Sequence, residues 1–287
     1  MTDKYRVFID NFVHWGEATE GVRAALVVGS QAREDFTADE YSDLDIVMFV
    51  DEPEYFISSD HWLDELGKYH VAFVESTMDG AKEKRVIFDG MLDVDIVIQP
   101  CSLLDAVSNV EAAIVLLRGY DVLVDKIGLS ERLEPLSGLN TSYELPTEEE
   151  FINIVNDFWY HTVWTSKKLK RGELWTSKIC LDSYMKWKLL ALIEYHAKAT
   201  HGKEYDTWYS GRFIEQWADN WIVDELSHCF ALYDADSIRE ALLSTMSLFR
   251  NVALEVAGKL GYRYPVSVDE YTTACVTAIM KQNAENT

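Results

Sequence analysis

The stretch VVGSQAREDFTADEYSDLDIVMFV, residues Val27 to Val50, decides how this chain folds. An apolar run stops at Gly29-Ser30, a polar interval follows, and a second apolar run opens with Asp43 and Asp45. In an alternating strand, Leu44, Ile46, Met48 and Val50 share one face, while Asp43, Asp45, Val47 and Phe49 share the other. Two carboxylates side by side repel each other and resist burial, so a cation is expected next to them. A hard divalent ion such as Mg²⁺, held by carboxylates beside substrate phosphates, suits the pair. The competing reading is a solvated turn, because Asp-x-Asp is common in a chain with 49 acidic residues.

Gly29-Ser30 supplies a different kind of group. A glycine at a strand end lets phosphate approach the backbone, and a helix starting at Ser30 would offer free N–H groups to an anion. Arg33, one turn on, is placed to clamp a phosphate oxygen. An ordinary helix cap is the simpler use of the same serine.

Further along, RVIFDGMLDVDIVIQP (Arg85–Pro100) reads as two strand-like runs joined by Asp89-Gly90 turn chemistry. Its second run puts Leu92, Val94, Ile96 and Ile98 on one face and Asp93, Asp95 and Val97 on the other. Asp95 would complete a group of three carboxylates, with Asp93 as the rival on the same face. Three carboxylates can hold two metals about 3.5–4 Å apart. Helices are expected at about 3–20, 31–36, 59–67 and 102–118, and the charged run Lys82–Arg85 is expected to be a solvated loop.

The turn-rich segment Leu136–Thr147 reads as a linker. After it come helical patterns over Glu148–Arg171, Ser177–His201, Ser210–Tyr233 and Asp236–Gly261. Gly261 fits a helix stop, with Pro265 beyond it. The expected organisation is an α/β domain over 1–140 followed by an all-α helical bundle over 147–287.

The chain has 287 residues, nearly half apolar, and carries a net charge of −23. Residues 1–145 hold 29 acidic and 11 basic side chains; the remainder hold 20 and 15. Such a field disfavours nucleic acid, which needs basic surface to displace counterions, and favours cationic small molecules and divalent metals. No apolar run is long enough to span a bilayer, and the start lacks a secretory pattern. Cys101, Cys180, Cys229 and Cys275 are scattered without CxxC spacing, which points to reduced thiols in a cytoplasmic setting. The seven histidines show no paired metal spacing. No feature of the sequence sets an oligomeric state.

The order of strand, Gly-Ser, Asp-x-Asp opening a strand, and a third aspartate-bearing strand resembles the nucleotidyltransferase superfamily, related in fold to DNA polymerase β. The segments ALVVGSQAREDFTADEYSDLDIVMFV, FISSDHWLDELG, VDIVIQP, NDFWY and FRNVALEVAGKLGYRYP look like landmarks of the aminoglycoside 6-adenylyltransferases, over roughly residues 5–265. That resemblance implies an N-terminal nucleotidyltransferase domain with a mixed sheet. It implies transfer of AMP from ATP, with Mg²⁺ (two ions), to a hydroxyl of a cationic antibiotic, streptomycin first. It makes Asp43 and Asp45 metal ligands and Asp95 the third carboxylate, as ligand, general base or both. Gln31 stands where the family commonly has an arginine after Gly-Ser, and Arg212 where it has a lysine before Phe-Ile. Arg212 therefore joins Gly29, Ser30 and Arg33 as a nucleotide-binding candidate.

For the acceptor, Trp159, Tyr160, Trp164 and Asp182 offer aromatic faces and charge suited to a polycationic sugar-guanidine. Aromatics at helical spacing are more often core. Two alternatives remain in view: another acceptor, such as a lincosamide, or a non-catalytic nucleotide-binding module on the same fold.

Overall fold

In a computed structural model, a six-stranded mixed sheet is built from residues 22–125 and flanked by helices, and helices follow from residue 148 onward. The structure describes residues 3–33, 38–77, 80–106, 116–134 and 145–281. The chain divides into two compact units, Met1–Thr141 and Ser142–Thr287.

The strands are β1 (Val22–Val28), β2 (Leu44–Val50), β3 (Tyr69–Ser76), β4 (Lys82–Phe88), β5 (Leu92–Pro100) and β6 (Asp121–Asp125), in the order β3-β4-β5-β2-β1-β6. All neighbours are antiparallel except β2 and β5, which run parallel. The alternation read in β2 and β5 sorts as expected. Leu44, Ile46, Met48, Val50, Val94, Ile96 and Ile98 enter one core with the helix Asp3–Ala18. Val47 and Phe49 turn to the opposite core, with Ala24, Leu26 and Val28 of β1. The interior strand β1 is buried on both faces from Ala24 to Val28, which explains its apolar run there.

Several expectations need correction. Lys82–Arg85 is not a loop but the first half of β4, with Lys84 fully buried. The Lys84 ammonium donates to Ser59 O (2.9 Å) and Asp60 Oδ1 (2.5 Å), so its charge is satisfied where its stem is packed. The helix expected at 31–36 is, in its described part, a 3₁₀ turn over Gly29–Gln31; residues 34–37 lie outside the described residues. The one at 59–67 shrinks to Leu63–Leu66, and an additional short helix outside the expected ranges, Pro53–Ser58, precedes it, opened by proline at its N-terminus. At 102–118 a 3₁₀ segment covers Cys101–Ala106, and residues 107–115 are not described. Residues 135–144, most of the expected linker, also lie outside the description.

In the second unit, the helix Glu148–Lys170 begins with a capping box between Thr147 and Glu150. The helix Ala235–Leu260 is capped by Asp234 and ends at Gly261 in the left-handed region. Phe158 and Phe249 stack between these two helices with ring centroids 3.5 Å apart. The segment Leu174–His201 is helical throughout, with a π turn at Cys180–Tyr184. Ser210–Tyr233 is not one helix: positive φ at Ser210, Gly211 and Phe213 breaks it, leaving only Ile214–Trp217 and Asn220–Leu226 helical. A further helix, Val266–Lys281, follows Pro265. No helix among the described residues is long and apolar enough to cross a membrane.

Candidate active site

The parallel pairing of β2 with β5 sets Asp45 directly opposite Asp95. Asp43 lies just before β2, on the same face as Asp45. One carboxylate oxygen from each of Asp43, Asp45 and Asp95 lies within 4.8 Å of the others. Asp93 is exposed and outside this group; its backbone instead meets the buried Tyr5 hydroxyl, accepting at its carbonyl (3.0 Å) and donating from its N–H (3.2 Å). Tyr5 also reaches Ser42 O at 3.0 Å, so one phenol ties together the chain entering β2 and β5.

Gly29 shows why the loop before β2 needs glycine. Its φ is +69°, and a Cβ there would sit 2.1 Å from Asp45 Oδ2. Any side chain would push the carboxylate out of the group. The adjacent turn is anchored from below: buried Gln31 donates its side-chain N–H to Asp43 O at 3.1 Å, and Ser30 Oγ lies 3.5 Å from the same carbonyl. Gln31, where the resemblance leads one to expect arginine, thus holds the backbone that carries Asp43. Gly119 (φ +129°) makes a second close approach, since a Cβ there would meet Ala32 O at 2.5 Å. Arg33, half-buried, follows directly.

Asp95 is 6% exposed, and its Oδ1 accepts no hydrogen bond. Burial pushes its pKa up to about 7; nearby Glu83 adds to the rise, Arg85 offsets part of it, and Asp93 and Asp43 add again. A buried carboxylate oxygen without a donor, close to two further carboxylates, fits a bound cation, and three carboxylate oxygens suit a hard ion such as Mg²⁺. The other oxygen, Oδ2, lies 3.3 Å from Arg85 Nη2. Arg85, read from sequence both as the first residue of a strand-like run and as the end of a solvated loop, was given no part in the site. Counting outward from the Asp89-Gly90 turn pairs Phe88 with Leu92, and the same count reaches Arg85 opposite Asp95.

The second unit treats its four acceptor candidates differently. Trp159 is fully buried: its ring packs edge-on against Phe158 and Phe249, its Nε1 donates to Tyr264 OH (3.1 Å), and Arg250 lies over its face. It is a core residue with no face left for a ligand, and the substrate-binding expectation for it is withdrawn. Tyr160 is 64% exposed. Trp164 is partly buried, with the Lys168 ammonium 5.3 Å from its ring centre. Asp182 Oδ2 pairs with Lys178 at 2.5 Å, and its Oδ1 is 4.0 Å from Lys186.

The Asp157 cluster and the cavity beside Asp182 escaped sequence reading. Asp157 gathers Lys188 (2.7 Å), His161 (2.8 Å) and the Tyr184 hydroxyl (2.9 Å) beside Tyr160. Asp182 and Lys186 stand in the wall of a largely apolar cavity of about 650 Å³ that also includes Trp187, Leu190, Ile193 and Phe230. Burial pulls the Lys186 pKa down to about 8, with Asp182 offsetting part of the fall. Arg212, an exposed residue on the turn after Gly211, accepts at its carbonyl from Trp217 Nε1 (2.8 Å).

The profile of the streptomycin adenylyltransferase family matches residues 3–279. An aminoglycoside 6-adenylyltransferase from Campylobacter jejuni is 23% identical over 285 residues, covering 96% of each chain. One from Bacillus subtilis (strain 168) is 22% identical over 266 residues, covering 90% of this chain and 91% of its own. A crystal structure of a Bacillus subtilis aminoglycoside 6-adenyltransferase aligns over 98% of this chain and 99% of that one, with 20% identity and a TM-score of 0.47.

Proposed function

Taking as premise that this chain belongs to the streptomycin adenylyltransferase family, we propose that it transfers AMP from ATP to a hydroxyl of an aminoglycoside, releasing pyrophosphate. Streptomycin is the first candidate acceptor, at its 6-hydroxyl. The observation that carries this reading is the group of Asp43, Asp45 and Asp95, with a buried oxygen of Asp95 left without a donor. In this reading residues 1–140 form the nucleotidyltransferase domain, of the DNA polymerase β-like kind, and 147–287 the acceptor-binding domain.

Asp43, Asp45 and Asp95 are the residues that would hold Mg²⁺, in one or two ions, which when bound supplies charge neutralisation on the triphosphate. Asp95 is the third carboxylate of the group, as ligand, as the base that takes the proton of the acceptor hydroxyl, or both. The freed oxygen attacks the α-phosphorus, a new P–O bond forms to the drug, and the bond to the pyrophosphate oxygen breaks. Gly29 and Ser30 offer the backbone approach for the triphosphate, and Arg33 and Arg212 bring cationic contacts. Gln31 holds the Asp43 backbone in place throughout. Rate enhancement then comes mainly from positioning and from fixed charge near the phosphates.

On the acceptor side, exposed Tyr160 and half-buried Trp164 offer aromatic contacts to a cationic sugar, whereas Asp157 is already paired with Lys188, His161 and Tyr184. Asp182 shares its Oδ2 with Lys178, while its Oδ1 is buried without a hydrogen-bond donor and stands 4.0 Å from Lys186. The cavity in whose wall it stands favours a second reading, a less polar acceptor such as a lincosamide. The four cysteines are free thiols, which supports a cytoplasmic setting.

The test is incubation with ATP and Mg²⁺ against a panel of aminoglycosides and lincosamides, following pyrophosphate and product mass. A drug heavier by one adenylyl group is expected, with streptomycin the best substrate. No mass shift with any aminoglycoside would overturn the acceptor class, and a shift with lincosamides alone would select the second reading.

A further inference from the structure

The carboxylates are only half of what the sheet assembles at this place. Antiparallel pairing of β4 with β5 puts Arg85 opposite Asp95, just as parallel pairing puts Asp45 on its other side. Arg85, Asp95 and Asp45 therefore form one row across three strands, with their side chains on one face. The guanidinium is held at both ends. Its Nε lies 3.1 Å from Glu75 Oε2 and 3.0 Å from Glu83 Oε2, and its Nη2 lies 3.3 Å from Asp95 Oδ2. Glu83 is only 12% exposed at its side chain, so it gives the fork a fixed seat.

The consequence for Asp95 is an asymmetry. One oxygen faces a cation belonging to the protein, and the other is buried without a donor. We propose that Arg85 is a positioning residue for Asp95: it occupies Oδ2, so that Oδ1 alone is turned to the ion held with Asp43 and Asp45. This rests on the metal-dependent transfer proposed above. A planar fork with spaced donors can hold two neighbouring carboxylates and a third group at once, which a lysine ammonium does less well. The arginine also keeps a positive charge beside the group, which weakens its hold on any metal while fixing its shape. Site geometry is thereby favoured over metal affinity.

Those two effects separate in an experiment. Full-length protein is titrated with Mn²⁺ without nucleotide, following free Mn²⁺ by electron paramagnetic resonance, and kcat and KM are measured in parallel. In Arg85→Met, loss of a nearby positive charge should tighten Mn²⁺ binding about three- to tenfold, while misplacement of Asp95 should lower kcat about 10- to 100-fold. Arg85→Lys keeps the charge and should bind Mn²⁺ as the parent does, with kcat between the two. A purely structural role would lower kcat and Mn²⁺ affinity together in both variants, and that result overturns the proposal. So does an Arg85→Met protein matching the parent in both measurements. If the parent itself neither binds Mn²⁺ nor transfers AMP, the functional reading falls, and this inference with it. An active, Mn²⁺-binding parent with an indifferent Arg85 would sink the inference alone.

Discussion

Asp95 in the sheet unit and Asp269 in the helical unit are both 6% exposed, yet their surroundings drive them in opposite directions. Asp269 is surrounded by donors: Arg250 gives two hydrogen bonds of 2.6 Å, Tyr264 OH one of 2.8 Å and Thr273 Oγ1 one of 3.0 Å. Burial pushes its pKa up, but the Arg250 and Tyr264 hydrogen bonds outweigh burial and hold it below the usual aspartate value. Asp95 meets one long arginine contact, two neighbouring carboxylates and an oxygen with no donor, and its pKa rises to about 7. At equal burial, the donor count separates a carboxylate that stabilises the fold from one that strains it. Strain of that kind is kept where chemistry needs it.

The largest effect that would break this contrast is on turnover. Asp45→Asn should lower AMP transfer by about 10²–10³-fold, the scale of losing one fixed charge at a phosphoryl site. Its fall in turnover should far exceed any change in melting temperature; a large fall in stability would place Asp45 with Asp269 instead. Conversely, Asp269→Ala should cost about 3 kcal/mol in urea unfolding by stranding Arg250 and Tyr264, with activity per folded molecule unchanged.

The pH dependence of stability sharpens the contrast further. In metal-free protein the Asp95 pKa is raised on folding, so the native state holds a proton that the unfolded state releases. Its contribution therefore falls as pH rises from about 4 to about 7. The Asp269 pKa is lowered, so its contribution is present above the ordinary aspartate value and is lost as pH drops below it. Asp95→Asn should flatten the neutral-side decline and Asp269→Asn the acid-side one, read from urea midpoints across pH in EDTA. Swapped assignments would contradict the environments described. The smallest effect is at Tyr5→Phe, where losing the hydroxyl shared by Ser42 and Asp93 should cost about 1 kcal/mol. A modest drop in kcat should accompany it, since the entries to β2 and β5 loosen; calorimetry and turnover on one sample would show both.

What the sequence disclosed and what it hid follow the same physical line. Period-two alternation made β2 and β5 readable and put Asp43, Asp45 and Asp95 on one face. Local charge misled at Lys82–Arg85, because a strand that buries Lys84 through a partner on Asp60 looks polar until that partner is known. Arg85 needed the register of a hairpin, a property of two segments jointly. Trp159 was legible in helical phase, since Phe151, Val155, Phe158, Thr162 and Thr165 are buried with it, yet its composition suggested binding. The helix Val266–Lys281 escaped because it buries only Asp269, Thr272 and Val276, too sparse a stripe to stand out. The break over Ser210–Phe213 depends on positive φ at residues other than glycine, which composition does not announce.

The side-by-side parallel strands have a consequence for how such a chain can change over generations. Everything from Asp51 to Met91, including two short helices and the β3–β4 pair, intervenes in sequence between Asp45 and Asp95, yet adjacent-strand hydrogen bonding alone dictates how far apart they stand. Insertions or deletions in the turns of that excursion can accumulate without altering the gap between the two acids. A single-residue insertion inside β5 ahead of Asp95, by contrast, would turn that side chain to the opposite surface of the sheet.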